Sequence, residues 1–276
     1  LALLIAGHAV DWPCVVGGSG RLTEALGAHL EAMGGEIRTG HPVRSLADIP
    51  PSRVVLFDLA PRQVLEIAGD AFPARYRRAL GRYRYGPGIF KVDWALDGPI
   101  PWRAEACRSA GTVHLAGPWE AVAASERASW EGRVPERPFV LVAQQSLFDA
   151  TRAPAGRHTG WAYCHVPHGS DADMTAAIEA QVERFAPGFR DRILARHTRT
   201  AREVEAHNAS MIGGDIGGGA NTLGQVLARP VARPDPYATP DPRLFLCSAA
   251  TPPGGGVHGM AGYHAARSAL RRAFGR

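Results

Sequence analysis

Apolar and small residues near the end of the chain follow two patterns in succession. A largely apolar run from Leu244 to Ala250 predicts a short buried strand. Two prolines and three glycines, residues 252 to 256, then interrupt any regular structure. Alanines return at helical spacing, at positions 261, 265, 269 and 273, so a helix is predicted to begin near Gly259. The predicted order is strand, glycine-rich turn and helix.

The first quarter of the chain has one clear amphipathic pattern. A helix is predicted from about Arg21 to Met33, with four apolar residues on one face: Leu22, Leu26, Leu30 and Met33. Residues 36–39 and 43–46 have the character of short strand segments.

Alternation with a period of two dominates the middle of the chain. It predicts strands with one covered face at residues 90–96, 112–115, 139–146 and 160–166. Loops rich in proline and glycine separate these segments, and no long helix is predicted between them, which favours a largely antiparallel sheet. A helix is predicted over residues 171–186 and an exposed or edge strand over residues 196–208.

Composition narrows the class of protein. The chain has 276 residues, of which 45% are hydrophobic and 21% charged, and this balance is typical of a globular protein. Its net charge of +5 comes almost entirely from arginine, because Lys91 is the only lysine. No basic run interleaved with aromatic residues follows the pattern of a nucleic-acid-binding surface, so no nucleic-acid partner is expected.

Cysteine and histidine positions argue against a metal site. Cys14, Cys107, Cys164 and Cys247 are widely separated, which fits neither a zinc site nor a disulfide framework and favours a reducing cytoplasm. His165 and His168 have metal-like spacing but no third ligand in the sequence. No metal is expected.

Two glycine-rich segments could approach a ligand closely. Residues 254–256 would place backbone amides at the positive end of a helix dipole, where an anionic or electron-rich group is stabilised. Residues 17–20 also precede a helix, but the dinucleotide-binding pattern would need a third glycine at Thr23. A flexible entrance to a helix is therefore the better interpretation of residues 17–20.

Residues 254–266, GGGVHGMAGYHAA, closely resemble the C-terminal flavin-binding motif of the phytoene-dehydrogenase-like FAD oxidoreductases. These enzymes are relatives of carotenoid desaturases and amine oxidases. The resemblance implies FAD as cofactor, with Ser248 and Ala249 near the ribityl-phosphate. It also implies a set of residues near the isoalloxazine ring: Gly255, Gly256, Val257, His258, Gly259 and Met260.

The resemblance extends to the start of the chain. Residues 13–46 resemble the segment that returns the family's chain to its FAD domain, where the backbone of the valine matching Val43 contacts the adenine. Residues 54–61 resemble the following strand, with Asp58 in place of a commonly small residue. The family's amino-terminal strand, with its G-x-G-x-x-G motif and ribose-binding acid, has no counterpart in this sequence. We therefore expect a piece of a longer protein that binds FAD poorly without its missing N-terminal half.

The resemblance implies an α/β (α+β) fold with two domains. Residues 1–70 and 208–276 would form parts of a Rossmann-like FAD-binding domain. Residues 71–207 would form a substrate-binding domain with a mixed or antiparallel sheet. The chain begins with an apolar segment that is too short to span a membrane, so a cytoplasmic protein is expected, with peripheral membrane contact as a further option.

The expected function is the passage of a hydride from a C–H bond of an apolar, polyene or lipid-like substrate to flavin, carried out by the complete protein. The catalytic residue is unassigned, because a histidine such as His258 in a turn more typically satisfies backbone groups. Trp94, Trp161 and Tyr163 line a substrate cavity or fill the sheet core. The alternatives are an amine-oxidase-like flavoenzyme and a non-catalytic binding protein on the same scaffold.

Overall fold

A five-stranded antiparallel sheet is the larger sheet of the computed structural model, which describes residue 9 and residues 13 to 275. Its strands are β2 (Gly88–Leu96), β3 (Thr112–Leu115), β4 (Val140–Ala143), β5 (His158–Val166) and β6 (Ile193–Arg199). They lie in the order β3-β4-β5-β2-β6, and each neighbouring pair is antiparallel. The antiparallel sheet predicted from the alternating pattern is thus confirmed.

One face of this sheet forms the main hydrophobic core. Helix α5 (Thr175–Phe185) lies within the predicted 171–186 segment and buries Ile178 and Val182 against the sheet. Trp94 is also in this core, with its ring centroid 4.9 Å from that of Phe189 in an edge-on contact. Trp94 therefore fills the core of the sheet and does not line a cavity.

The prediction that only loops separate the strands was wrong. Helix α4 (Trp119–Trp130) connects β3 to β4. Its buried side consists of small residues, Ser125, Ala128 and Ser129, while Trp119 and Trp130 are exposed. A helix that buries serine and alanine has little apolar periodicity, so the sequence pattern did not reveal it.

The prediction of a strand over residues 196–208 was correct for its first four residues and wrong for the rest. The edge strand β6 ends at Arg199, and helix α6 (Ala201–His207) follows at once. Thr200 accepts a hydrogen bond from the amide of Glu203 through Oγ1, and the Glu203 carboxylate accepts one from the amide of Thr200. This reciprocal cap starts a helix in a segment that we interpreted as strand.

A parallel pair of short strands forms the second sheet. Strand β1 (Val55–Phe57) pairs in parallel with β7 (Leu244–Leu246), residue for residue. Helices α2 (Pro61–Ala68) and α3 (Ala74–Gly81) pack on it through a separate hydrophobic cluster. Strand β7 is shorter than the apolar run that predicts it, because the chain turns after Leu246.

The segment before β1 is almost entirely exposed. Helix α1 (Gly20–Ala32) forms as predicted, but Leu26 on its apolar face is 63% exposed, and residues 13–56 contain no buried residue. The short strands predicted at 36–39 and 43–46 do not form, because no neighbouring strand pairs with them in the described part of the chain.

Two further helices complete the fold. Helix α8 (Met260–Phe274) begins one residue after the predicted Gly259 and buries the predicted alanine row at Ala261, Ala265 and Ala269. Helix α7 (Leu223–Ala228) is short and exposes its leucines. None of the helices in the described residues is both long and apolar enough to cross a membrane.

Candidate functional site

The turn between β7 and α8 is anchored by buried polar groups. Thr251 is fully buried, and both its amide and its hydroxyl donate to the carbonyl oxygen of Ser248, at 2.9 and 2.7 Å. Ser248 is itself buried. These hydrogen bonds hold the start of the turn rigidly behind the glycines.

The glycines that follow lie on the surface and use backbone conformations that favour glycine. Gly256 has φ 146° and Gly259, the residue that precedes α8, has φ 64°. Residues 255–260 are all exposed, and Val257 is 95% exposed. The turn therefore presents its backbone at the N-terminus of a 15-residue helix with no bulky side chain packed over it.

His258 has a structural role in this turn. Its Nδ1 accepts a hydrogen bond from the amide of Met260, at 3.1 Å. A backbone amide can only donate, so Nδ1 carries no proton in this arrangement. The imidazole satisfies one of the free amides at the start of α8, which agrees with the interpretation of His258 as a backbone-binding residue.

A second glycine-rich loop, residues 213–219, packs directly against the turn. A Cβ atom placed on Gly255 would lie 2.7 Å from the carbonyl oxygen of Gly217. A Cβ on Gly218 would lie 2.5 Å from the Cβ of Ala249. Glycine is thus required on both sides of this contact, for close approach of two backbones.

Two residues that the sequence analysis did not single out hold this loop. Asp215 is buried and accepts hydrogen bonds from the amides of Gly86 and Gly217, at 2.6 and 2.7 Å. The Tyr83 hydroxyl donates to the carbonyl oxygen of Gly218, at 2.7 Å. Burial raises the pKa of Tyr83 to about 12, so the phenol stays a donor at neutral pH. The lone aspartate among the glycines was the available signal for this anchor.

A small cavity of about 140 Å³ lies at the carboxyl ends of the parallel strands, where α/β sheets commonly bind ligands. Ser248, Ala249 and Gly218 line it, together with Asp58. Asp58 remains accessible to solvent, yet desolvation by the surrounding protein raises the pKa of its carboxyl group. Ser248 and Ala249 thus line one cavity, and Asp58 lines it with them.

A neighbouring hollow of about 230 Å³ contains a buried arginine. Gly254 and Gly255 line this hollow beside Arg229, which is only 4% exposed. The Arg229 guanidinium donates to Asn221 Oδ1 at 3.1 Å and to the carbonyl oxygen of Ala249 at 3.4 Å. Its Nε has no partner among the described residues. Val43 lines neither this hollow nor the small cavity.

The face of the large sheet opposite its core carries a different set of side chains. The rings of Trp161 and Tyr163 stack with centroids 6.2 Å apart and an interplanar angle of 14°. Lys91 forms an ion pair with Asp93 and lies 5.5 Å from the centroid of the Trp161 ring. Trp161 and Tyr163 are therefore separated from the core and form a half-buried aromatic surface.

Sequence comparison relates this chain to two curated mammalian proteins. No protein-family model matches the chain. "Pyridine nucleotide-disulfide oxidoreductase domain-containing protein 2" of Rattus norvegicus is 26% identical over 305 residues, which cover 94% of this chain and 51% of that protein. The Mus musculus protein of the same name is 26% identical over 302 residues, with the same coverage.

Two solved structures share the fold. An oxidoreductase from Methanosarcina mazei matches with a TM-score of 0.58 and 17% identity, over 90% of this chain and 53% of that one. A triple mutant of putrescine oxidase, made to redesign cofactor binding, matches with a TM-score of 0.56 and 15% identity, over 92% and 52%. The chain thus spans about half the length of the proteins it matches; it is a distant homologue of pyridine nucleotide-disulfide oxidoreductase domain proteins and has the fold of flavoprotein oxidoreductases.

Proposed function

We propose that the complete protein is an FAD-dependent oxidoreductase and that this chain contributes the glycine turn of its flavin site. The turn at residues 254–259, which is exposed from Gly255 onward, is the observation that carries this proposal. It combines a helix N-terminus, glycines at positive φ and a position just beyond the carboxyl end of β7. Together these features suit an electron-rich or anionic edge of a bound cofactor.

The residues of the turn fit the isoalloxazine ring in size and in charge. Gly255 and Gly256 leave the backbone uncovered, and the turn from Gly254 to Gly259 contains no acidic side chain. Ser248 and Ala249 would hold the ribityl-phosphate beside the small cavity. Asp58 is the residue that fits least well, because an ionised carboxylate would repel a phosphate; its raised pKa weakens that repulsion.

When bound, FAD would supply the hydride acceptor for oxidation of a substrate C–H bond. The amides of Val257, His258 and Gly259 and the dipole of α8 would stabilise the negative charge of the reduced flavin. His258 would position the start of the helix, because its Nδ1 accepts the hydrogen bond from the amide of Met260. Val43 would contact the adenine through its backbone.

The open face of the large sheet supports an apolar substrate, of polyene or lipid-like character. Its stacked Trp161 and Tyr163 offer a flat apolar surface. Lys91 lies against the Trp161 ring and is ion-paired with Asp93, so the two charges beside the rings compensate each other.

Flavin content and substrate choice test the proposal. The complete protein should purify with FAD, visible in its absorbance spectrum, whereas this chain alone should purify colourless. Anaerobic mixing with apolar polyenes should bleach the flavin, and mixing with diamines should not. A colourless complete protein would overturn the proposed cofactor, and bleaching by amines only would overturn the proposed substrate class.

A further inference from the structure

A large cavity lies away from the glycine turn. It has a volume of about 830 Å³ and lies between α3 and the segment from Thr222 to Pro240. Its lining has no residue in common with the small cavity or with the hollow beside Gly254. Helix α7 lines it through Gly224, Gln225 and Ala228. Its volume falls within the range of clefts that hold organic ligands of drug size.

The charged side chains that line this cavity are all positive. Four arginines line it, Arg75, Arg82, Arg84 and Arg233, and no aspartate or glutamate does. None of the four is ion-paired with a carboxylate in the described part of the chain. By contrast, Arg62 on α2 and Arg77 on α3 each have an acidic partner. The cavity therefore concentrates positive potential that the chain itself does not neutralise.

Contacts with uncharged side chains hold two of these arginines in place. The Arg84 guanidinium donates to the Thr222 hydroxyl at 3.3 Å, and Gln225 accepts from the Arg84 amide at 3.0 Å. Arg233 lies with its guanidinium carbon 5.5 Å from the centroid of the buried Tyr76 ring. Guanidinium groups that stack or are positioned in this way bind phosphate and carboxylate in a fixed geometry.

Much of the remaining lining is apolar. It includes Pro73, Ala79, Pro230, Val231 and Pro240. An inorganic anion would contact only the arginines and leave this surface in water. A ligand with an anionic head and an apolar body would use both parts of the lining.

We propose that this cavity binds an anionic amphiphile, with a phosphate head among the four arginines and an alkyl body against the apolar wall. The head can belong to a soluble phosphate ester or to a lipid in a bilayer. On α7, Leu223 and Leu227 are 85% and 86% exposed, and they would contribute only if the ligand is taken from a bilayer. This proposal does not rest on the flavin site.

Binding of dodecyl phosphate to the complete protein, measured by calorimetry, tests the proposal. We expect the double variant Arg75→Gln/Arg82→Gln to bind it at least about tenfold more weakly, since charge-assisted hydrogen bonds are lost. Neither arginine makes a hydrogen bond through its side chain to the described residues, so folding should be unaffected, which circular dichroism would verify. The matched control is Arg103→Gln/Arg137→Gln, two exposed arginines outside this cavity.

Three results would overturn the proposal: equal binding of dodecyl phosphate and uncharged dodecyl maltoside, wild-type binding by the double variant, or equal affinity for inorganic phosphate. Sedimentation with phosphatidic acid vesicles distinguishes the two sources. Vesicle binding that Leu223→Ser/Leu227→Ser abolishes indicates a bilayer lipid, whereas binding of monomeric dodecyl phosphate alone indicates a soluble ester. The FAD content of every variant should equal that of the wild type, so a failure here leaves the proposed oxidoreductase function untouched.

Discussion

The large antiparallel sheet and the region around the parallel strand pair differ in how much of their apolar surface they bury. The sheet packs one face against α5 around a continuous core that includes Phe90 and Trp102, both 1% exposed. The parallel pair has a smaller cluster, and the segment before it buries no residue between positions 13 and 56. The difference indicates that the sheet is stabilised within this chain, whereas α1 and its flanking segments gain little from packing inside it.

Truncation of Phe90 in the sheet core and of Leu26 on the apolar face of α1 should show the largest effect of this difference in burial. Phe90→Ala should lower the free energy of unfolding by about 3–5 kcal/mol, because it leaves a cavity in a packed core. Leu26→Ala on α1 should change it by about 0.5 kcal/mol or less in this chain. Urea denaturation followed by circular dichroism measures both values.

The same Leu26→Ala change should destabilise the complete protein more than it destabilises this chain. We expect segments outside this chain to cover the apolar face of α1 there, so the loss in free energy of unfolding should rise to about 2–5 kcal/mol. A cost as small as that in the isolated chain would show that this helix face stays in solvent.

A change in the glycine turn should weaken FAD binding and leave the large sheet folded. Gly256→Val in the complete protein should weaken FAD binding at least about 100-fold, since a β-branched residue is strained at φ 146° and its Cβ would lie 2.8 Å from the His258 ring. Flavin absorbance and fluorescence titration measure the loss. The control is Gly262→Ala inside α8, where a Cβ meets no atom within 4 Å. A melted sheet in Gly256→Val would contradict the independence of the two regions.

His258→Ala should have a smaller effect than the glycine change. It removes the acceptor for the Met260 amide but leaves the other amides and the helix dipole, so flavin reduction should slow by about tenfold or less. His258→Asn should recover most of the rate, because asparagine can accept the same hydrogen bond. Stopped-flow loss of about 100-fold or more with FAD still bound would make His258 a catalytic residue.

Asp58 should have the smallest effect, and that effect should depend on pH. Burial raises the pKa of its carboxyl above the ordinary 3.8, so folding favours the protonated form and stability is lost as pH rises above 3.8. Asp58→Asn imitates the protonated form and should raise the Tm by about 2 °C or less at about pH 7. At about pH 3 the gain should disappear. Asp191→Asn, an exposed carboxyl on the large sheet's side of the molecule, serves as the control.

Local patterns allowed much of the fold to be predicted. The alternation around Phe90 and Trp94 marked β2, and the alanine row at Ala261, Ala265 and Ala269 marked α8. The same approach missed α4, whose buried residues are serine and alanine, and α6, which depends on the reciprocal cap at Thr200. Periodicity detects an element only when large apolar residues define its buried face.

The sequence by itself determined the strand, glycine turn and helix at residues 244–274, because these depend on neighbouring residues and on the backbone freedom of glycine. Only the tertiary structure decided what surrounds that turn. Tyr83 reaches Gly218 across 135 positions, and Asp215 binds the amide of Gly86 across 129. The burial of Arg229 beside Gly254 likewise depends on distant segments meeting. No local period encodes such contacts, since they form only when separate elements pack against one another.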